Sequence, residues 1–196
     1  MNFVKYFFYI VVASVFLYAS EDSQSSQVKQ LSREVVPLSK TLFEVINLKT
    51  GDKRIEDLTG RDFIVVSVRE EGSDGRFYAV DRDGTVWWSG AVTSGTAEYR
   101  SPSGIFHVLR KVRYYMSKAY PDASGINNMD YSLFFTKFGH ALHKGSTNWM
   151  SRGCIHIDEK DIKVLFKWAT SNTKIIITRH SYMPFAHDDL VRIYVD

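Results

Sequence analysis

From Asp62 onward the chain is cut into strand-length apolar runs separated by glycine and aspartate turns, and a single stretch carries helical spacing. Residues 63–69 form a β-branched run, and residues 76–81 alternate. Glu71-Gly72-Ser73-Asp74-Gly75 between them reads as a turn. Asp83-Gly84 is a hairpin turn leading into residues 85–92. Residues 104–115 read as one strand, with Phe106 and Val108 on one face and His107 and Leu109 on the other. Residues 120–130 contain Pro121-Asp122-Ala123-Ser124-Gly125 and Asn127-Asn128, which predicts a long loop. Residues 131–135 and 139–142 are extended and bring the chain to His143. Asp158 then suits an N-cap, and Ile162, Leu165, Phe166 and Ala169 recur at helical spacing over residues 159–170. Residues 174–178 predict a buried strand and residues 190–195 a last one. The pattern is that of a mainly β domain with one amphipathic helix.

A length of 196 residues supports one domain with a substantial core. Residues 1–20 read as a secretory signal: Lys5 gives a positive start, residues 7–18 are almost purely apolar, and Ala19 and Ser20 suit cleavage. The apolar run is short for a spanning helix, though an uncleaved anchor is the rival reading. Both export the domain, and without a cysteine near the signal the chain is not read as a lipoprotein. Residues 21–43 read as a linker, with helical tendency over residues 28–36 ended by Pro37, and residues 44–196 as the folded domain. The net charge of +3 is too small to imply nucleic-acid binding, and no basic stripe or nucleic-acid motif is present.

The one cysteine, Cys154, cannot form an intramolecular disulfide. It lies in Ser151-Arg152-Gly153-Cys154-Ile155-His156, a short loop after His143-Lys144-Gly145. A thiolate needs a base or a cationic neighbour to form near neutral pH, and a histidine can serve. Arg152 and His156 bring positive or potentially positive charge. Gly153 lets the backbone approach a carbonyl, and nearby N–H groups can hold an oxyanion. The helix start beyond Cys154 would lower the thiol's pKa if it pointed at the sulfur. Buried packing is the plain alternative for a lone cysteine. His143, Cys154 and His156 make a possible zinc set, but no second cysteine or carboxylate spacing supports a metal, and no cofactor is expected.

At these residues the chain resembles the L,D-transpeptidase catalytic domain family, the YkuD-like cell-wall enzymes. His143-Lys144-Gly145 and Ser151-Arg152-Gly153-Cys154-Ile155 match the catalytic elements. Val92-Thr93-Ser94-Gly95 and Ser101-Pro102-Ser103-Gly104-Ile105-Phe106 match a strand end and a turn upstream, and the resemblance covers about residues 62–180. Two departures stand out: a shorter loop between His143 and Cys154, and His156 where the family usually has Arg. The resemblance implies a β-sandwich-like fold, and a periplasmic or wall enzyme acting on peptidoglycan stem peptides, with Cys154 as nucleophile and His143 as general base and acid. It implies a loop or oxyanion role for Gly153 and Ser151, and substrate contacts for Arg152, His156, Tyr131 and Trp149. Core packing is an equal reading for Tyr131, and loop orientation for His156. His140, three residues before His143, is expected on the opposite face of a strand. The acceptor is open: an amine of a second stem gives a 3-3 cross-link, water gives an L,D-carboxypeptidase, and a lysine amine anchors a protein. A non-catalytic wall-binding homologue and a sortase-like enzyme are the remaining readings, the latter disfavoured by the Ser-x-Gly-Cys turn.

Overall fold

The computed structural model describes residues 33–68 and 75–195. The expected signal, most of the expected linker and most of the turn at residues 71–75 lie outside them. Among the described residues there are twelve strands: β1 (Arg33–Pro37), β2 (Leu42–Asn47), β3 (Lys53–Asp57), β4 (Phe63–Ser67), β5 (Gly75–Val80), β6 (Val86–Thr93), β7 (Gly104–His107), β8 (Arg110–Val112), β9 (Ser132–Phe134), β10 (Ala141–Lys144), β11 (Ile155–Ile157) and β12 (Lys174–Thr178). Two helices follow β11 and β12: α1 (Glu159–Trp168) and α2 (Met183–Val195). β1, β2 and β3 make an antiparallel three-stranded sheet. The others make a nine-stranded sheet in the order β7-β12-β4-β5-β6-β11-β10-β9-β8.

Strands β4 and β12 explain the layering. Side chains of a strand alternate between faces, so a run apolar at every position must be covered on both. Ile64 and Val66 of β4, with Ile175 and Ile177 of β12, join a core capped by Ile162 and Leu165 of α1. Phe63 and Val65, with Ile176, join a second core under Val35, Phe43 and Val45 of the small sheet and Ala186 and Leu190 of α2. The large sheet therefore separates two cores. Tyr182 anchors the second, stacked on Phe43 and donating its hydroxyl to Lys40 O at 2.5 Å.

Four sequence expectations change. The expected linker over residues 21–43 contains β1 and the start of β2 within its described part, and β1 is strand where helical tendency was expected. Val35 and Pro37 are buried while Val36 is half-buried, a period of two, and Thr178 Oγ1 donates to Val35 O at 2.5 Å. Residues 190–195 are helix. Ala186, Leu190 and Ile193 reach the second core at helical spacing, and this wins over the β-branched look of the last six residues. Among the described residues the mainly β fold thus carries two helices where one was expected. Finally, residues 104–115 break after β7: Val108 N donates to Thr173 O and Leu109 N to Phe134 O, so the chain leaves β12 and joins β9.

Helix α1 forms where expected. Asp158 caps it, its Oδ1 accepting from Glu159 N at 2.8 Å. Glu159 pairs with Lys163 at 2.6 Å and with Lys144 of β10 at 3.0 Å. Among the described residues no helix is long and apolar enough to cross a membrane.

Candidate active site

Strands β10 and β11 are parallel, so the chain between them must run back along their length. Most parallel pairs use a helix for this return, but here the irregular segment of residues 145–154 makes it. Its two ends carry His143 and Cys154. Leu142 pairs with Ile155 and His143 with His156. Cys154 therefore enters β11 beside Ala141, two positions before the His143–His156 pair. Across the next strand His156 pairs with Thr93. Thr93, His156 and His143 thus form a row over β6, β11 and β10. The His143 and His156 rings lie 5.0 Å apart, edge to face.

The turn before Cys154 is tied through Ser151. Its hydroxyl donates to Cys154 O at 2.5 Å and accepts from Gly153 N at 3.0 Å. Its backbone is held by the end of β6: Ser151 N donates to Ser94 O at 2.9 Å, and Thr96 N to Ser151 O at 3.1 Å. Losing a hydroxyl that satisfies two buried groups costs about 1–3 kcal/mol. Gly95 packs on this turn so closely that a Cβ there would stand 2.9 Å from Gly153 Cα and N and overlap Tyr99 O. Gly153 itself has φ 104°, a left-handed conformation that favours glycine. Gly153 N–H, expected to face an oxyanion, is committed to Ser151.

The Cys154 side chain is half-buried against Met129, Phe134 and Ala141. Its thiol meets Gly139 O at 3.8 Å. Burial pushes the thiol up to about 11, and the backbone of Ala141 opposes this only in part. His143 is buried, and its Nδ1 meets Lys144 O at 2.7 Å. A carbonyl only accepts, so Nδ1 carries the proton and Nε2 holds the lone pair. Burial first, then the neighbouring His156, lowers His143 to about 3, against the pull of Lys144 O. The pair therefore rests as neutral thiol and neutral imidazole. Such a pair makes a thiolate by proton transfer during attack instead of storing one.

The charges expected to favour a thiolate are engaged elsewhere. Arg152 lies over the Tyr120 ring at 4.1 Å, with Tyr99 at 6.0 Å on the same guanidinium. His156 is itself held below its ordinary value by burial. The N-terminus of α1 lies beyond β11, a strand away from the sulfur. Tyr131 is turned to α1, 5.6 Å from Phe166, and has φ 55°. Trp149 is 61% exposed at the rim with Met150. His140 is not turned away: its ring approaches within 3.1 Å of where a Gly153 Cβ would sit, and Nδ1 meets Thr136 Oγ1 at 2.9 Å. Strand alternation misplaced it because β10 begins only at Ala141. Sequence reasoning also passed over Ser101, whose hydroxyl accepts from Gly95 N at 3.0 Å, and Thr93, whose buried Oγ1 has no protein partner. Their place in the Val-Thr-Ser-Gly and Ser-Pro-Ser-Gly segments was the available signal. Among the described residues no three His, Cys, Asp or Glu side chains converge to hold a metal.

Residues 61–177 match the L,D-transpeptidase catalytic domain (YkuD) family. Among solved structures, an L,D-transpeptidase mutant from Enterococcus faecium is 17% identical with TM-score 0.50, over 63% of this chain and 55% of that one. An L,D-transpeptidase from Stackebrandtia nassauensis is 21% identical with TM-score 0.49, over 61% and 57%. L,D-transpeptidase 1 of Mycobacterium tuberculosis is 15% identical with TM-score 0.47, over 78% and 90%. No curated protein matches the chain. This chain spans little more than half the length of the first two structures. The family match covers more than half of the chain and takes in the strand end at Thr93, the histidine strand, the Ser151–Cys154 turn and α1, and on that extent the protein belongs to the L,D-transpeptidase catalytic domain family.

Proposed function

We propose that the chain is a secreted, cysteine-dependent peptidoglycan L,D-transpeptidase, exported by residues 1–20 to the periplasm or wall. The observation that carries the reading is the return loop between β10 and β11. It holds a thiol and an imidazole of fixed tautomer on neighbouring strands, with the cysteine turn locked by Ser151. The resemblance supplies the substrate, a stem tetrapeptide whose third residue is a diamino acid. In the first step His143 Nε2 accepts the Cys154 proton as sulfur attacks the carbonyl of that residue. Cys154 N–H is the donor of the turn left for the developing oxyanion, since Gly153 N–H is taken. The tetrahedral adduct collapses, the bond to the terminal D-Ala breaks, and the imidazolium returns the proton to the leaving amine. A side-chain amine of a second stem then attacks the thioester, giving its proton to His143, and the thiol is released.

The test is intact-protein mass spectrometry after mixing with a carbapenem, a class that acylates this family. One adduct on the wild type and none on Cys154→Ala is expected, with both proteins folded. An adduct retained on Cys154→Ala would overturn the nucleophile. Digestion of purified muropeptides then reads the acceptor: cross-linked dimers mean amine transfer, and tripeptide alone means that water is the acceptor and the protein is an L,D-carboxypeptidase.

A further inference from the structure

The return loop has few bonds of its own. Gly145 N donates to Ile157 O at 3.0 Å and Ser151 N to Ser94 O at 2.9 Å, which pins the two ends. Between them Asn148 N reaches Ser146 Oγ at 3.1 Å, a bond internal to the loop. Asn148, Trp149 and Met150 are exposed. A loop this short, crossing between parallel strands, needs something beneath it to fix its path.

That support is His156. Its Nδ1 meets Ser146 O at 3.1 Å, and since a carbonyl only accepts, Nδ1 carries the proton. The ring packs against Gly145: a Cβ there would stand 2.5 Å from Cγ and 2.6 Å from Cδ2 of His156. From β10 the facing titratable group is His143, 5.0 Å away between ring centroids, and from β6 the facing side chain is Thr93. His156 therefore touches both the wall of the site and its base.

We propose that His156 is a positioning residue that fixes residues 145–150 over the site, its imidazole donating to Ser146 O and filling the space that Gly145 leaves open. The inference rests on the acyl-enzyme reading above. A wall held this way keeps the substrate carbonyl within reach of sulfur. A misplacement of about 1 Å at a reacting centre costs on the order of 100-fold in rate.

Hydrogen exchange of residues 145–150 and the rate of carbapenem acylation, measured together at pH 7.5, test it on wild type, His156→Leu, His156→Asn and Gly145→Ala. Asn keeps a donor near the place of Nδ1; Leu keeps only bulk. His156→Leu and Gly145→Ala are expected to exchange faster in the loop and to acylate about tenfold or more slowly, the loop being misplaced. His156→Asn is expected to restore most of both. Wild-type exchange and acylation in a folded His156→Leu overturn the inference, as does an Asn variant no better than Leu. Should His156→Leu not fold, His156→Asn and Gly145→Ala decide by the same two readouts. A wild type that takes no adduct sinks the acyl-enzyme reading instead, while the exchange experiment still reports on the loop.

Discussion

Cys154 and His143, the pair proposed above to carry the chemistry, sit in the fold without a resting ion pair. Burial acts on both groups in the direction that removes charge, raising the thiol and lowering the imidazole. The expected cationic neighbours do not reverse this: the Arg152 guanidinium lies over two tyrosine rings, and burial holds His156 below its ordinary value. Iodoacetamide alkylation of the resting enzyme should therefore be slow at pH 7 and keep rising toward pH 11. A rate that levels off below pH 8 would show a stored thiolate and refute the neutral pair. The motif was legible in the residues; its charge state was not. Burial of Cys154 among Met129, Phe134 and Ala141 is set by strands far apart in sequence.

At the scale of elements, the histidine strand, the cysteine turn and α1 could all be read locally. Each rests on short-range chemistry: alternation, a serine closing its own turn, an aspartate cap. β1 and α2 could not. A five-residue strand such as Arg33–Pro37 has little intrinsic preference, and its identity comes from pairing with β2 and burying Val35. Helix α2 is decided by the second core and by Asp189. That buried carboxylate accepts from Val86 N at 3.0 Å and pairs with Lys40 at 2.5 Å. These contacts predict that a chain of residues 44–196 melts well below one of residues 33–196, with loss of the cooperative transition as the extreme. Equal melting temperatures by calorimetry would show that β1 is dispensable and that the domain starts at 44.

For the whole molecule, the buried histidines couple stability to pH. His140 and His143 are lowered to about 4 and about 3 from 6.5, mainly by burial. Below pH 6.5 the unfolded chain takes up protons that the folded one refuses, so stability falls from there down through these folded values. Cys154 adds the mirror effect. The unfolded thiol ionises near 9.0 and the folded one near 11, so stability is lost as pH rises between the two. The melting temperature should thus be flat between about pH 7 and 9 and lower on either side. Between pH 6.5 and 5, above the titration of most carboxylates, the slope should shrink in a His140→Asn/His143→Asn double variant. Equal melting temperatures at pH 5 and 7 in the wild type would remove this contribution.

The sequence by itself determined the mainly β class, the family, and the pairing of a histidine strand with a Ser-x-Gly-Cys turn, because these depend on periodicity and on residues near one another along the chain. Tertiary structure decided the rest. It turned Tyr131 to α1 and Arg152 to Tyr120, brought His140 against Gly153, and set His156 beneath the loop. It also assigned Gly153 N–H to Ser151 and discharged the cysteine–histidine pair. Each of these outcomes depends on which distant strand lies beside a residue and on how much water that neighbour removes, and neither quantity is written in local spacing.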